Sequence, residues 1–127
     1  MGMLENKVCI VTGAAGSIGL QTARLMLAEG GNVMLVDKSE DRLRQIAREL
    51  PSEKTAIATA DVTRAEQVRR FVDDTVAKWG TIDVLFSNAG NDGPLIPTVD
   101  YPEDIFHQII ATHVRAASWF ANTRCRK

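Results

Sequence analysis

Gly13, Gly16 and Gly19 stand three residues apart where an apolar, β-rich run gives way to a helical pattern, and a carboxylate, Asp37, closes the next apolar run. The chemistry this spacing serves is backbone chemistry. Main-chain N–H groups at a helix N-terminus have no partners of their own and face the positive end of the helix dipole, so they attract a pyrophosphate. A β-carbon at the closest points would stand in the way. Gly13 and Gly16 would let the chain turn and the phosphates approach, and Gly19 would let the helix pack closely on the strand. Asp37 lies 18 positions past Gly19 and 24 past Gly13. These offsets bracket the roughly 20 residues at which a carboxylate meets the adenosine ribose hydroxyls of a bound dinucleotide.

The elements that must position these groups follow from periodicity. A strand is expected over 7–11, a helix over 17–29 and a second strand over 32–36, ending in Asp37. Ser39 caps a helix whose apolar positions Leu43, Ile46, Ala47 and Leu50 recur at helical spacing, with Pro51 as a stop. A third strand follows over 55–59. Thr63 and Glu66 have the spacing of a capping box, for a helix that turns Val68, Phe71, Val72 and Val76 inward and closes at Gly80. The fourth strand, 83–87, runs into Asn88-Ala89-Gly90, and Pro102 opens a further helix at or near its first turn. From 105 to 121 the pattern reads as one broken helix or two consecutive ones. Strands alternating with helices over short connections give an α/β fold, a doubly wound parallel sheet with helices on both faces.

At 127 residues the chain is the size of one domain, and its net charge of −1 comes from acidic and basic residues mixed along its length. No electrostatic footprint for nucleic acid or a membrane surface results. No apolar run approaches the 18 or so residues of a membrane span, and no signal-peptide pattern opens the chain. Met1-Gly2 is not a myristoylation start, because position 6 is Asn. A cytoplasmic protein is expected. Cys9 reads as a small buried hydrophobe and Cys125 falls in a basic tail, so no disulfide is expected. His107 and His113 are six apart on different helix faces, so no metal site is expected either.

Thr12-Gly13-Ala14-Ala15-Gly16-Ser17-Ile18-Gly19, Asp37, Asp61-Val62-Thr63 and Ser87-Asn88-Ala89-Gly90 together resemble the short-chain dehydrogenase/reductase family, over about 7–120. The resemblance implies a Rossmann-like sheet in which Gly13 to Gly19 hold the pyrophosphate, with Ile18 offering its amide. It implies that Asp37 binds the adenosine ribose and that Asp61 and Val62 flank the adenine. Asn88, Ala89 and Gly90 would support the central sheet and the nicotinamide ribose. A carboxylate at Asp37 repels a 2′-phosphate and favours NAD over NADP, while Lys38 beside it works the other way.

Two departures from the family stand out. Its middle glycine falls at position 17, where this chain has Ser17, a residue that either caps the helix or donates to a phosphate. The second concerns the proton chemistry, which in this family belongs to a Ser and a Tyr-x-x-x-Lys pair. The only tyrosine here, Tyr101, is followed four positions later by Ile105. His113 occupies the position of the family's catalytic Asn, and it reads as a partly buried helix histidine.

The resulting expectation for 1–127 is a single NAD-binding Rossmann domain, incomplete after its fourth strand and C-terminally truncated relative to the family. It would bind the dinucleotide weakly and turn nothing over. The fourth strand would present a bare edge, and Ile110, Trp119 and Phe120 an apolar patch, so a homo-oligomer or a missing C-terminal half is expected to cover them. The polar, basic ending over 122–127 is expected to mark a premature stop or altered frame. The alternative is a noncatalytic module that binds NAD or pairs with another subunit.

Overall fold

Val8–Thr12 forms the first strand, β1, and every residue in it is buried. Such a run is what a strand covered on both faces requires. Three further strands, β2 (Asn32–Asp37), β3 (Thr55–Thr59) and β4 (Val84–Phe86), join it in one sheet of order β3-β2-β1-β4. All three pairings are parallel, with Ile10 opposite both Met34 and Leu85, and Met34 opposite Ala56. The computed structural model describes residues 2–90, 97–115 and 118. Trp119, Phe120, Cys125 and the basic tail, for which specific expectations were stated, lie outside the described residues.

Helices α1 (Ser17–Ala28), α2 (Glu40–Ala47) and α3 (Ala65–Trp79) make the crossovers. Side-chain alternation along the strands divides the core in two. Ile10, Met34 and Val36 pack with Val68, Phe71 and Val72 of α3, whereas Cys9, Val11, Val33 and Leu35 pack with Ala23 of α1 and Leu43 of α2. Cys9 behaves as the expected small hydrophobe. Burial, and then the Asp83 charge, push its thiol above the ordinary range, which leaves it unreactive.

A short 3₁₀ turn, Thr98–Asp100, precedes the last helix, α4 (Glu103–Ile110), whose cap residue is Pro102. α4 runs directly into a π-helical turn, Ala111–Arg115. The expected break in the 105–121 pattern is therefore a change of helical pitch. Phe106, Ile110 and Val114 on this segment are exposed. Among the described residues no helix is long and apolar enough to cross a membrane.

Two expected caps are corrected. Ser17 does not cap α1. Gly16 is the cap residue, with extended backbone and no side-chain hydrogen bond, and Ser17 is the first residue of the helix. Thr63 and Glu66 do not form a capping box either, since α3 starts from Arg64 without a side-chain cap. The Thr63 hydroxyl is drawn instead to Asp61, at 2.6 Å, by a charged acceptor two residues away. Ser39 does cap α2, accepting from the Arg42 N–H at 3.4 Å.

Phe71 is 1% exposed at the centre of the α3-side core. Phe71→Ala is expected to cost about 3–5 kcal/mol through lost burial and the cavity it leaves. The urea midpoint of the purified variant checks this, with Arg24→Ala on the exposed Arg24–Glu49 ion pair expected to stay within about 0.5 kcal/mol of the parent.

Candidate functional site

The turn after β1 is shaped by two close approaches. Gly13 has φ +68°, and a β-carbon on it would fall 2.9 Å from Ala89 Cα. Gly19 lies so close to the turn that a β-carbon would stand 2.2 Å from the Gly13 carbonyl oxygen. The close packing expected at Gly19 is thus against the turn rather than the strand. Gly16 differs from both. A β-carbon there would meet only the Gly13 carbonyl oxygen, at an ordinary 3.4 Å. The first helical bond of α1 runs from the Leu20 N–H to the Gly16 carbonyl, at 2.9 Å. Ahead of it the N–H groups of Ser17, Ile18 and Gly19 have no acceptor among the described residues, as helix geometry dictates for a first turn.

Thr12, 3% exposed, ties this turn to the end of β4. Its hydroxyl accepts from the Asn88 N–H at 2.9 Å and the Ala89 N–H at 3.1 Å. The Asn88 side-chain amide reaches toward the Gly13 carbonyl at 3.5 Å. On its other side the same segment meets the π-helical turn, because a β-carbon on Gly90 would lie 2.8 Å from Cε1 of His113.

Asp37 is engaged with the turn as well as being available beside it. One carboxylate oxygen accepts from the Ala15 N–H at 3.0 Å and the other from the Ser39 N–H at 3.2 Å. A carboxylate has about four lone-pair sites, so two acceptor positions are left. The Ala15 carbonyl accepts from the Arg42 guanidinium at 2.6 Å. Both polar groups of that residue are therefore held by side chains.

Asp61, at the end of β3, is pinned in a similar way. Its Oδ1 accepts from the Thr63 N–H at 2.9 Å, and its own N–H donates to Gln67 Oε1 at 2.7 Å. Oδ2 lies 3.9 Å from Lys38 Nζ. Burial pushes the Asp61 carboxyl up, but the Thr63 hydrogen bonds and the Lys38 and Arg64 charges outweigh it and leave it below its ordinary value.

These strand ends surround a cleft of about 360 Å³. Gly13 contributes from the turn after β1, Asp37 from the last position of β2 and Lys38 just past it, Asp61, Val62 and Thr63 from the segment after β3, and Ala89 and Gly90 from the segment after β4. Gly16, Ser17 and Ile18 lie on the exposed first turn of α1, next to Gly13. Val62 borders the cleft while belonging to the α3-side core. Gln108 and Thr112 also line the cleft and were not legible in the sequence. Their spacing of four on one helix was the only available signal, and it does not say which cleft the helix faces. Such a crevice, at the carboxyl ends of parallel strands where the order reverses between β1 and β4, is where open α/β sheets bind ligands.

The comparisons agree with this architecture. The family model described as short chain dehydrogenase matches residues 7–126. Short-chain dehydrogenase reductase 3c of Arabidopsis thaliana is 38% identical over 123 residues, 97% of this chain and 48% of that protein. A hexahydroindene-carboxyl-CoA reductase of Mycobacterium tuberculosis is 39% identical over 127 residues, 97% of this chain and 47% of that protein. Among solved structures, an NAD⁺-bound xylitol dehydrogenase superposes with TM-score 0.91 at 35% identity, covering 98% of this chain and 48% of the other. The chain belongs to the short-chain dehydrogenase family, and it spans about half the length of the curated relatives it matches.

Two outcomes follow from this geometry. Thr12→Val removes the acceptor of two amides at once and is expected to cost about 1–3 kcal/mol by urea unfolding, with Thr12→Ser recovering most of it. Asp61, with its value lowered in the folded state, contributes stability that is present above pH 3.8 and is lost as pH falls through the lowered value. Asp61→Asn should remove that part of the acid sensitivity, read as a flatter unfolding midpoint against pH below about 4.

Proposed function

We propose that residues 1–127 form one dinucleotide-binding domain and that its cleft holds NAD. Gly16 carries the reading. Nothing in the chain itself demands a glycine there, yet it stands beside three unpartnered N–H groups, which is what an approaching pyrophosphate needs. Ser17, Ile18 and Gly19 would bind the phosphates, and the two remaining acceptor positions of Asp37 would take the ribose hydroxyls. Asp61 and Val62 would flank the adenine. Asn88 and Ala89, held by Thr12, and Gly90 beside them would support the nicotinamide ribose. NAD is preferred over NADP because Asp37 sets a negative charge where a 2′-phosphate would fall.

When bound, the nicotinamide supplies a hydride acceptor or donor, which in this family serves the interconversion of an alcohol and a carbonyl. The residues of this chain bind and orient it. They offer no tyrosine-lysine pair to move the accompanying proton, for Tyr101 has Ile105 four positions on and does not border the cleft. His113 stands at the family's Asn position against Gly90, and without such a pair it has no proton to relay. The 127 residues therefore supply the cofactor half of a dehydrogenase reaction.

Calorimetric titration tests both parts. NAD should bind weakly but saturably, and Gly16→Ala should weaken it about tenfold, or 1.4 kcal/mol. The absence of saturable binding would overturn the assignment. Purified protein of this sequence, given NAD and a panel of secondary alcohols, should form no NADH; measurable turnover would show that the proton chemistry resides in these residues after all.

A further inference from the structure

Six polar side chains line the cleft, and five of them are already engaged within the chain. The Asp37 carboxylate accepts from the Ala15 and Ser39 N–H groups. Lys38 pairs with Asp61, and the Thr63 hydroxyl donates to Asp61. The Thr112 hydroxyl donates to the Gln108 main-chain carbonyl at 2.9 Å. The sixth is the carboxamide of Gln108, which has no hydrogen-bond partner among the described residues. Its position is nonetheless set. Gln108 belongs to α4 and Thr112 to the π-helical turn after it, so their hydrogen bond spans the change of pitch and ties the Gln108 backbone to the cleft wall. An uncommitted group that both donates and accepts fits a particular task. Purine bases are uncharged, so charge alone does not tell them apart, whereas a paired donor and acceptor does so by direction.

We propose that Gln108 is a specificity-determining residue that recognises the 6-amino group of adenine. The proposal rests on the reading of the cleft as a dinucleotide site with the adenine beside Asp61 and Val62. Adenine sets its 6-amino donor next to a ring-nitrogen acceptor on both edges, N1 on one side and N7 on the other. A carboxamide matches either, its oxygen accepting from the amine while its nitrogen donates to the ring. Asp61 is less suited to this task, because its Oδ1 already takes two hydrogen bonds from Thr63 and its Oδ2 faces Lys38. Val62 supplies apolar contact without direction. The free carboxamide is exposed and bonds to water, so pairing with adenine adds little bulk affinity. A base that lacks the amine leaves the Gln108 oxygen without a donor, and the difference appears as selectivity.

Binding of 5′-AMP and of purine riboside 5′-monophosphate, which differs only in lacking the 6-amino group, to the 127-residue protein and its variants tests the assignment. The parent should prefer 5′-AMP by about tenfold. Gln108→Leu, close in size and on an exposed helix position, should bind the two ligands almost equally. Gln108→Glu keeps an acceptor for the amine but loses the donor to the ring, so it should weaken both ligands yet retain the preference. Equal weakening of both ligands by Gln108→Leu, with the preference intact, would overturn the proposal and leave Gln108 as part of the wall alone. A parent that does not distinguish the two ligands would overturn it as well. Failure of 5′-AMP to bind the parent saturably would instead overturn the dinucleotide reading, and this proposal with it.

Discussion

The approach of the first turn of α1 to the Gly13 carbonyl, close enough to forbid a β-carbon at Gly19, is the constraint on which the site depends. It fixes where the helix begins, and therefore where its unpaired N–H groups face. Were α1 to lift away far enough to admit a side chain at position 19, those donors would turn away from the ends of β1 and β4. The sheet supplies the floor for this arrangement. Its buried central strand delivers Gly13 to the point where the strand order reverses, so the sheet ends where the glycine turn begins.

Side chains around the cleft serve the backbone first. Asp37 and Arg42 hold Ala15, Thr12 holds Asn88 and Ala89, and Thr63 with Lys38 holds Asp61. Each tie satisfies a polar group that water would otherwise have to reach. Each also leaves capacity unused, as the second pair of acceptor positions on Asp37 shows. A site assembled in this way is preorganised, because the groups that would meet a ligand are already oriented by partners in the chain and lose little freedom when it arrives.

This division of labour also explains what was legible in the sequence. Apolar runs and helical periodicity identified all four strands and the crossover helices, most clearly the fully buried β1 and the buried interior of β2. Gly13 and Asp37, each answering a local requirement, were legible in the sequence and line the cleft. The errors arose where two local partners compete. Thr63 had the spacing to cap α3, but Asp61 offered its hydroxyl a charged acceptor, and that interaction prevailed. Ser17 had the right type for a cap, but the extended conformation at Gly16 placed it one residue inside the helix. Gln108 and Thr112 were missed because their contribution depends on tertiary placement, which no spacing within α4 and the π-helical turn after it encodes.

The Asn88-Ala89-Gly90 turn shows how far such placement can reach. From β1, the Thr12 hydroxyl accepts two of its amides; from the π-helical turn after α4, the His113 ring fills the space a β-carbon would take on Gly90. Neither restraint alone sets the path of the turn, since hydrogen bonds to Thr12 fix Asn88 and Ala89 but leave the next residue free to rotate. The imidazole closes that freedom from the opposite side. His113 therefore has a structural role at this position, against Gly90. Its ring bears on Gly90 from within the π-helical turn Ala111–Arg115.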